Sequence, residues 1–132
     1  MIDAATRVLV RARADDRCEY CRFPQSALEQ SLQIEHIVAR QHLGSDELSN
    51  LALACDHCNW HKGPNLSTLE PESGNIVQLF NPRLDEWQEN FEFRGPLIVG
   101  ISAKGRGTVH LLGMNSESRL QLRATLMALG QW

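Results

Sequence analysis

No run of apolar residues in this 132-residue chain approaches the roughly 18 that a membrane-spanning helix needs. The N-terminal stretch, Met1 to Ala14, carries acidic Asp3 and has arginines spread through it, which is not the pattern of a secretory leader. A soluble, cytoplasmic protein without a signal peptide is the expectation. A surplus of positive charge is also lacking: 13 Lys+Arg stand against 16 Asp+Glu, for a formal charge of −3. The deficit is even along the chain, with 7 basic and 9 acidic residues up to Lys62 and 6 and 7 beyond it. The whole-molecule field therefore gives no bulk attraction to nucleic acid, and any such partner must be held by local charge. No internal repeat or low-complexity segment is present. At 42% hydrophobic residues the chain can bury one core, and a single domain over residues 1–132 is expected.

Cysteine is scarce, but its placement is informative. The four cysteines fall as Cys18-Glu-Tyr-Cys21 and Cys55-Asp-His-Cys58, separated by the 33 residues from Arg22 to Ala54. Thiolates at i and i+3 can point at one ion where the chain turns between them, and two such pairs complete the tetrahedron that zinc prefers. A four-thiolate sphere has no open position for water, so this would be structural Zn2+, whose binding energy is folding energy. Two disulfides or a redox Cys-x-x-Cys are the competing readings. A zinc deaminase also uses Cys-x-x-Cys, but it needs His-x-Glu and a proline before a pair. Arg17 and Ala54 precede the pairs here, and no histidine has a glutamate two positions on.

Local patterns place the elements. Residues 3–14 read as a helix capped by Asp3, with Ala5, Val8, Leu9 and Ala12 at helical spacing. Leu32 to Ile37 alternates as a half-buried strand, with His36 at its end. A turn-forming loop follows through Gly44, Ser45 and Asp46. Leu51 to Ala54 is an apolar run, and a short helix over Asp56 to Lys62 is stopped by Gly63-Pro64. Beyond Asn65 short apolar and β-branched runs predominate: Ile76 to Phe80, Phe91 to Phe93, Leu97 to Ser102 and Thr108 to Met114. The last two are expected to form a hairpin across Ala103-Lys-Gly-Arg-Gly107. One or two helical turns are expected over Asn81 to Glu89, and a closing helix over Asn115 to Leu129.

The string Cys18-Glu-Tyr-Cys21, Glu35-His36-Ile37, Gly44-Ser-Asp-Glu-Leu-Ser-Asn50-Leu-Ala-Leu-Ala-Cys55 and Cys58-Asn59-x-x-Lys62-Gly63 resembles the zinc-bearing branch of the HNH endonucleases, a His-Me finger family. The resemblance covers about Arg17 to Gly63. More weakly, Asn81-Pro-Arg83, Glu86-Trp87, Phe91 and Gly105-Arg-Gly-Thr-Val109 resemble the extension of a set of small bacterial HNH proteins. It implies an α+β fold: a ββα-metal finger with a four-cysteine zinc site over residues 1–64. A β-rich extension over 65–132, with a small antiparallel sheet and a closing helix, would follow it.

The implied activity is metal-dependent hydrolysis of DNA phosphodiester bonds. Such chemistry needs a deprotonated water and a cation to offset charge building on the phosphate. His36 is the candidate general base, since a neutral imidazole can take the water's proton near neutrality. By resemblance Glu35 and Asn59 hold Mg2+ or Mn2+, and Asn50 braces the loop that carries the histidine. Glu35 stands where many members have aspartate and Asn59 where others have histidine; the carboxamide favours a hard metal over zinc. Arg40 and Lys62 are candidate phosphate contacts, with His61 and His57 close in sequence. Trp60, Trp87 and Trp132 read as core residues rather than base-stacking platforms. Arg83, Lys104, Arg106, Arg119 and Arg123 read as solvated surface, although Lys104 and Arg106 would project from a glycine turn. A zinc-stabilised nucleic-acid- or protein-binding module without catalysis, and a ribonuclease using the same site, are the alternative readings.

Overall fold

The computed structural model describes residues 2–132. The chain divides into two compact units: one runs through Pro64 and takes in Asn81–Arg83, and the other comprises Asn65–Phe80 and Leu84–Trp132. Together they give an α+β fold with small antiparallel sheets. Among the described residues no helix is long and apolar enough to cross a membrane.

The first unit opens with α1 (Ala4–Arg13), capped by the Asp3 carboxylate, which accepts from the Thr6 amide at 2.8 Å. The apolar spacing of this helix misleads. Val10 is its buried residue, while Val8 and Leu9 are 66% and 53% exposed. What ties the helix down is Arg11, which donates to the Leu32 carbonyl at 2.8 Å, and Arg13, which donates to that of Leu51. Asp15 and Asp16 both take positive φ and turn the chain into the first cysteine pair. Strand β1 (Gln33–His36) then pairs antiparallel with β2 (Leu51–Ala54), with Glu35 opposite Ala52 and His36 opposite Leu51. Every residue of β2 is buried, and with Tyr20, Phe23, Leu32 and Ile37 it makes this unit's core. Helix α2 (Asp56–Lys62) follows directly and stops at Gly63, whose φ is 51°.

In the second unit β3 (Ser67–Leu69) pairs with β4 (Ile76–Gln78), and β5 (Phe91–Arg94) pairs with β6 (Leu97–Gly100). The short helix α3 (Trp87–Asn90) precedes β5, and α4 (Ala103–Leu112) and α5 (Glu117–Ala128) complete the unit. The hairpin expected between Leu97–Ser102 and Thr108–Met114 does not form. Leu97–Gly100 turns back onto Phe91–Arg94, and Thr108 lies within helix α4. The glycines read as a turn lie within this helix, and packing requires one of them to be glycine: a Cβ on Gly105 would sit 1.9 Å from the Asn90 carbonyl oxygen. Ser102 caps the helix, accepting from the Gly105 amide at 2.9 Å. Phe80, Trp87, Phe91, Phe93 and Trp132 stack in series with centroids 5.1 to 5.7 Å apart, forming an aromatic spine. Arg123 is fully buried and donates to the carbonyls of Pro96 and Met114.

Candidate metal centre and active site

The two knuckles bring four buried sulfurs together. The Sγ atoms of Cys18, Cys21, Cys55 and Cys58 all lie within 4.8 Å of one another, and none is in a disulfide. Cys21 Sγ and Cys55 Sγ are 3.7 Å apart. Zinc–sulfur bonds of about 2.3 Å in a tetrahedron require sulfur–sulfur edges of about 3.8 Å, so this donor set fits a zinc ion. In each pair the second amide turns back to the first sulfur, Cys21 N to Cys18 Sγ at 3.5 Å and Cys58 N to Cys55 Sγ at 3.4 Å. Hydrogen bonds from Cys18, Cys21 and Cys58 hold the Cys55 thiol well below the usual range. Hydrogen bonding to Cys18 pushes the thiols of Cys21 and Cys58 up. A cation that takes four thiolates must displace those protons, which couples its binding to pH.

His36 ends β1, and its Nε2 lies 2.7 Å from Asp46 Oδ1. Arg40 donates to the same oxygen at 2.9 Å. The loop that presents Asp46 is pinned by Asn50: Oδ1 accepts from Val38 N at 2.9 Å, and Nδ2 donates to the carbonyls of Val38 and Ser45. Gly44 is needed for this closure, because a Cβ there would fall 1.7 Å from the Val38 carbonyl oxygen.

Alternation along β1 sends Glu35 the other way. It is 5% exposed and accepts from the Tyr20 hydroxyl on Oε1, while the Lys62 ammonium lies 3.3 Å from Oε2. Burial pushes its carboxyl up against the pull of Lys62. Burial, and then Glu35, push the Tyr20 phenol well above its ordinary value. Lys62 is 2% exposed and donates to the Ile37 carbonyl at 2.9 Å. It is therefore not available to a phosphate at the surface and instead neutralises Glu35. Asn59 lies on the same α2-facing side of β1 and donates to Gln33 Oε1 at 2.5 Å. Glu35 and Asn59 thus share the β1–α2 junction, and His36 faces the Asp46 loop.

The remaining candidates separate by exposure. Arg40 is exposed, and so is His61, whose Nδ1 donates to the His57 carbonyl at 2.8 Å. Trp60, read as core, is 84% exposed. Arg83 is spent on buried Glu19, Lys104 on Asp85 at 3.0 Å and Arg106 on buried Glu70 at 2.7 Å. The last two leave helix α4, not a turn. Sequence reasoning missed Asp46 as the partner of His36 and Tyr20 as the partner of Glu35. An acid in the loop after the histidine was the one available signal for the first; the second had none.

Residues 18–65 match the HNH endonuclease family model. Within this stretch lies the buried four-cysteine cluster able to coordinate a metal. The chain is also 25% identical over 109 residues, 81% of its length, to the Septu protein PtuB of Bacillus thuringiensis. It spans about 40% of the length of that relative. No solved structure matches.

Proposed function

We propose that the chain is a metal-dependent HNH nuclease that hydrolyses phosphodiester bonds of DNA, with His36 as the general base. The observation that carries this reading is the His36–Asp46 contact at 2.7 Å, in a loop braced by Asn50 inside the HNH stretch. With the Nε2 proton donated to Asp46, Nδ1 is left to take a proton from water, and the carboxylate stabilises the imidazolium that results. Arg40, exposed beside Asp46, and His61 are the side chains that would contact the phosphate backbone. The four-cysteine cluster contributes no chemistry in this reading; a zinc ion there staples the knuckles to β2 and α2.

Mg2+ or Mn2+ enters through the family resemblance, and when bound such an ion offsets charge on the scissile phosphate. Asn59 and Glu35 are the hard oxygen donors on one side of β1. In the present arrangement Glu35 does not fit a divalent ion, because Tyr20 and Lys62 already engage its two oxygens. The same observation favours a second reading, a zinc-stabilised nucleic-acid-binding module without chemistry.

The test is to incubate supercoiled plasmid, single-stranded DNA and RNA of matched sequence with the protein and added Mg2+ or Mn2+. Cleavage of DNA is expected. Cleavage of RNA alone would make the chain a ribonuclease, and binding without product from any substrate would support the second reading.

A further inference from the structure

Most large aromatic side chains of this chain are packed, and Trp87 illustrates the rule at 7% exposed. Trp60 departs from it. Its indole is 84% exposed on α2, and no hydrogen bond or ring contact holds it among the described residues. An indole left in water forgoes one of the largest apolar burials a side chain offers, which makes such exposure beside polar groups informative. Trp60 lines a hollow of about 300 Å³ together with Gln33, Asp56 and Asn59. That volume is at the small end of the range for ligand sites.

We propose that this hollow is a subsite for one unpaired nucleobase of the substrate strand, stacked on Trp60 and read at its edge by Gln33, Asn59 and Asp56. The inference rests on the nuclease reading, which supplies a nucleic-acid strand as the occupant. Its chemistry follows from the lining. A planar π surface suits any base face. The charged group in the lining is Asp56, an anion, which repels a phosphate but accepts from an exocyclic amine. Asn59 Nδ2 gives one hydrogen to Gln33 Oε1, so Asn59 Oδ1 remains as an acceptor, and Gln33 Nε2 and the second Nδ2 hydrogen as donors, for a base edge. The two acceptors, Asp56 and Asn59 Oδ1, can take both hydrogens of an exocyclic amine, which thymine lacks, so a base that carries an amino group (cytosine, adenine or guanine) is favoured over thymine. A base inside a duplex keeps its faces stacked on its neighbours, so the occupant must be unpaired or flipped out.

The test uses fluorescein-labelled oligo-dC and oligo-dT, about 12 nucleotides long, at low salt without added divalent ions. Anisotropy is read with wild type, Trp60→Ala and Trp60→Phe. Oligo-dC is expected to bind more tightly than oligo-dT, Trp60→Ala to weaken oligo-dC about tenfold, and Trp60→Phe to retain most of the affinity. Tryptophan emission of the wild type should be quenched on binding, and that quench should be absent from Trp60→Phe. Zinc content and unfolding midpoint should be unchanged in both variants, because the indole is exposed.

A Trp60→Ala protein that binds oligo-dC within twofold of wild type overturns the proposal. So does a wild type that binds neither strand, and equal binding of dC and dT overturns the edge reading. Cleavage is scored separately. A wild type that cuts DNA as well as Trp60→Ala does removes the subsite and leaves the nuclease standing. Trp60-dependent binding by a protein that cuts nothing does the reverse.

Discussion

Lys62→Met removes the ammonium beneath Glu35 and keeps most of the stem. Lys62 is nearly inaccessible, lies 3.3 Å from Glu35 Oε2 and donates to the Ile37 carbonyl at 2.9 Å. The abandoned carboxylate can stay ionised, at the about 3–5 kcal/mol typical of breaking a buried pair, or it can take up a proton. Protonation sets the ceiling. Moving its titration from the ordinary 4.5 to above pH 7 costs about 3 kcal/mol at pH 7. The lost hydrogen bond to Ile37 adds about 1 kcal/mol, for an expected loss of about 4 kcal/mol.

The pH dependence has a definite sign. A carboxyl whose folded pKa lies above its unfolded one binds more protons when folded, so stability falls as pH rises between the two values. Burial already pushes Glu35 in this direction, and the variant extends the window upward. The assay is urea unfolding of zinc-loaded wild type, Lys62→Met and Lys62→Met/Glu35→Gln between pH 5 and 8. The single variant should lose about 4 kcal/mol at pH 7 and about 2 kcal/mol at pH 5. The double variant should recover at least about 2 kcal/mol at pH 7, because a neutral amide can still accept from Tyr20. A loss under about 1 kcal/mol at pH 7, or one that does not change with pH, would refute the burial of Glu35 against Lys62.

The other predictions concern the metal and the histidine loop. Purified protein should hold one zinc per chain by elemental analysis, and Cys58→Ser should lose the metal and unfold at far lower urea; a Cys58→Ser protein that keeps zinc and melts like wild type would contradict the cluster's role. Gly44→Ala should cost about 2 kcal/mol or more and depress cleavage, since its methyl meets the Val38 carbonyl; urea unfolding within about 0.5 kcal/mol of wild type would show that the loop closes differently. Asp46→Asn should slow cleavage about tenfold or more with zinc content intact, and an unchanged rate would remove Asp46 as the partner of the base.

What could be read from the sequence was what short-range chemistry decides. Asp3 caps α1, the Cys-x-x-Cys spacings cluster the sulfurs, and Gly63-Pro64 stops α2 after Lys62. Tertiary packing hid the rest. Gly105 looks like a turn residue but lies within helix α4, where Asn90 leaves no space for a Cβ. Val8 and Leu9 look like a buried face, yet Arg11 and Arg13 dock the helix through carbonyls, which no apolar period reports. At the site, the resemblance implies that Glu35 and His36 act together, yet alternation along β1 sets Glu35 against Lys62 and His36 against Asp46. The burial of Lys62 beneath Glu35 left no mark in charge counts, because a paired lysine and a solvated one read alike.

The central claim is that His36 activates water, and its most direct test is the cleavage rate of zinc-loaded wild type against His36→Ala on one plasmid with saturating Mn2+. A drop of at least about a hundredfold, with zinc content and unfolding midpoint retained, is the predicted result. Equal rates for the two proteins would contradict it.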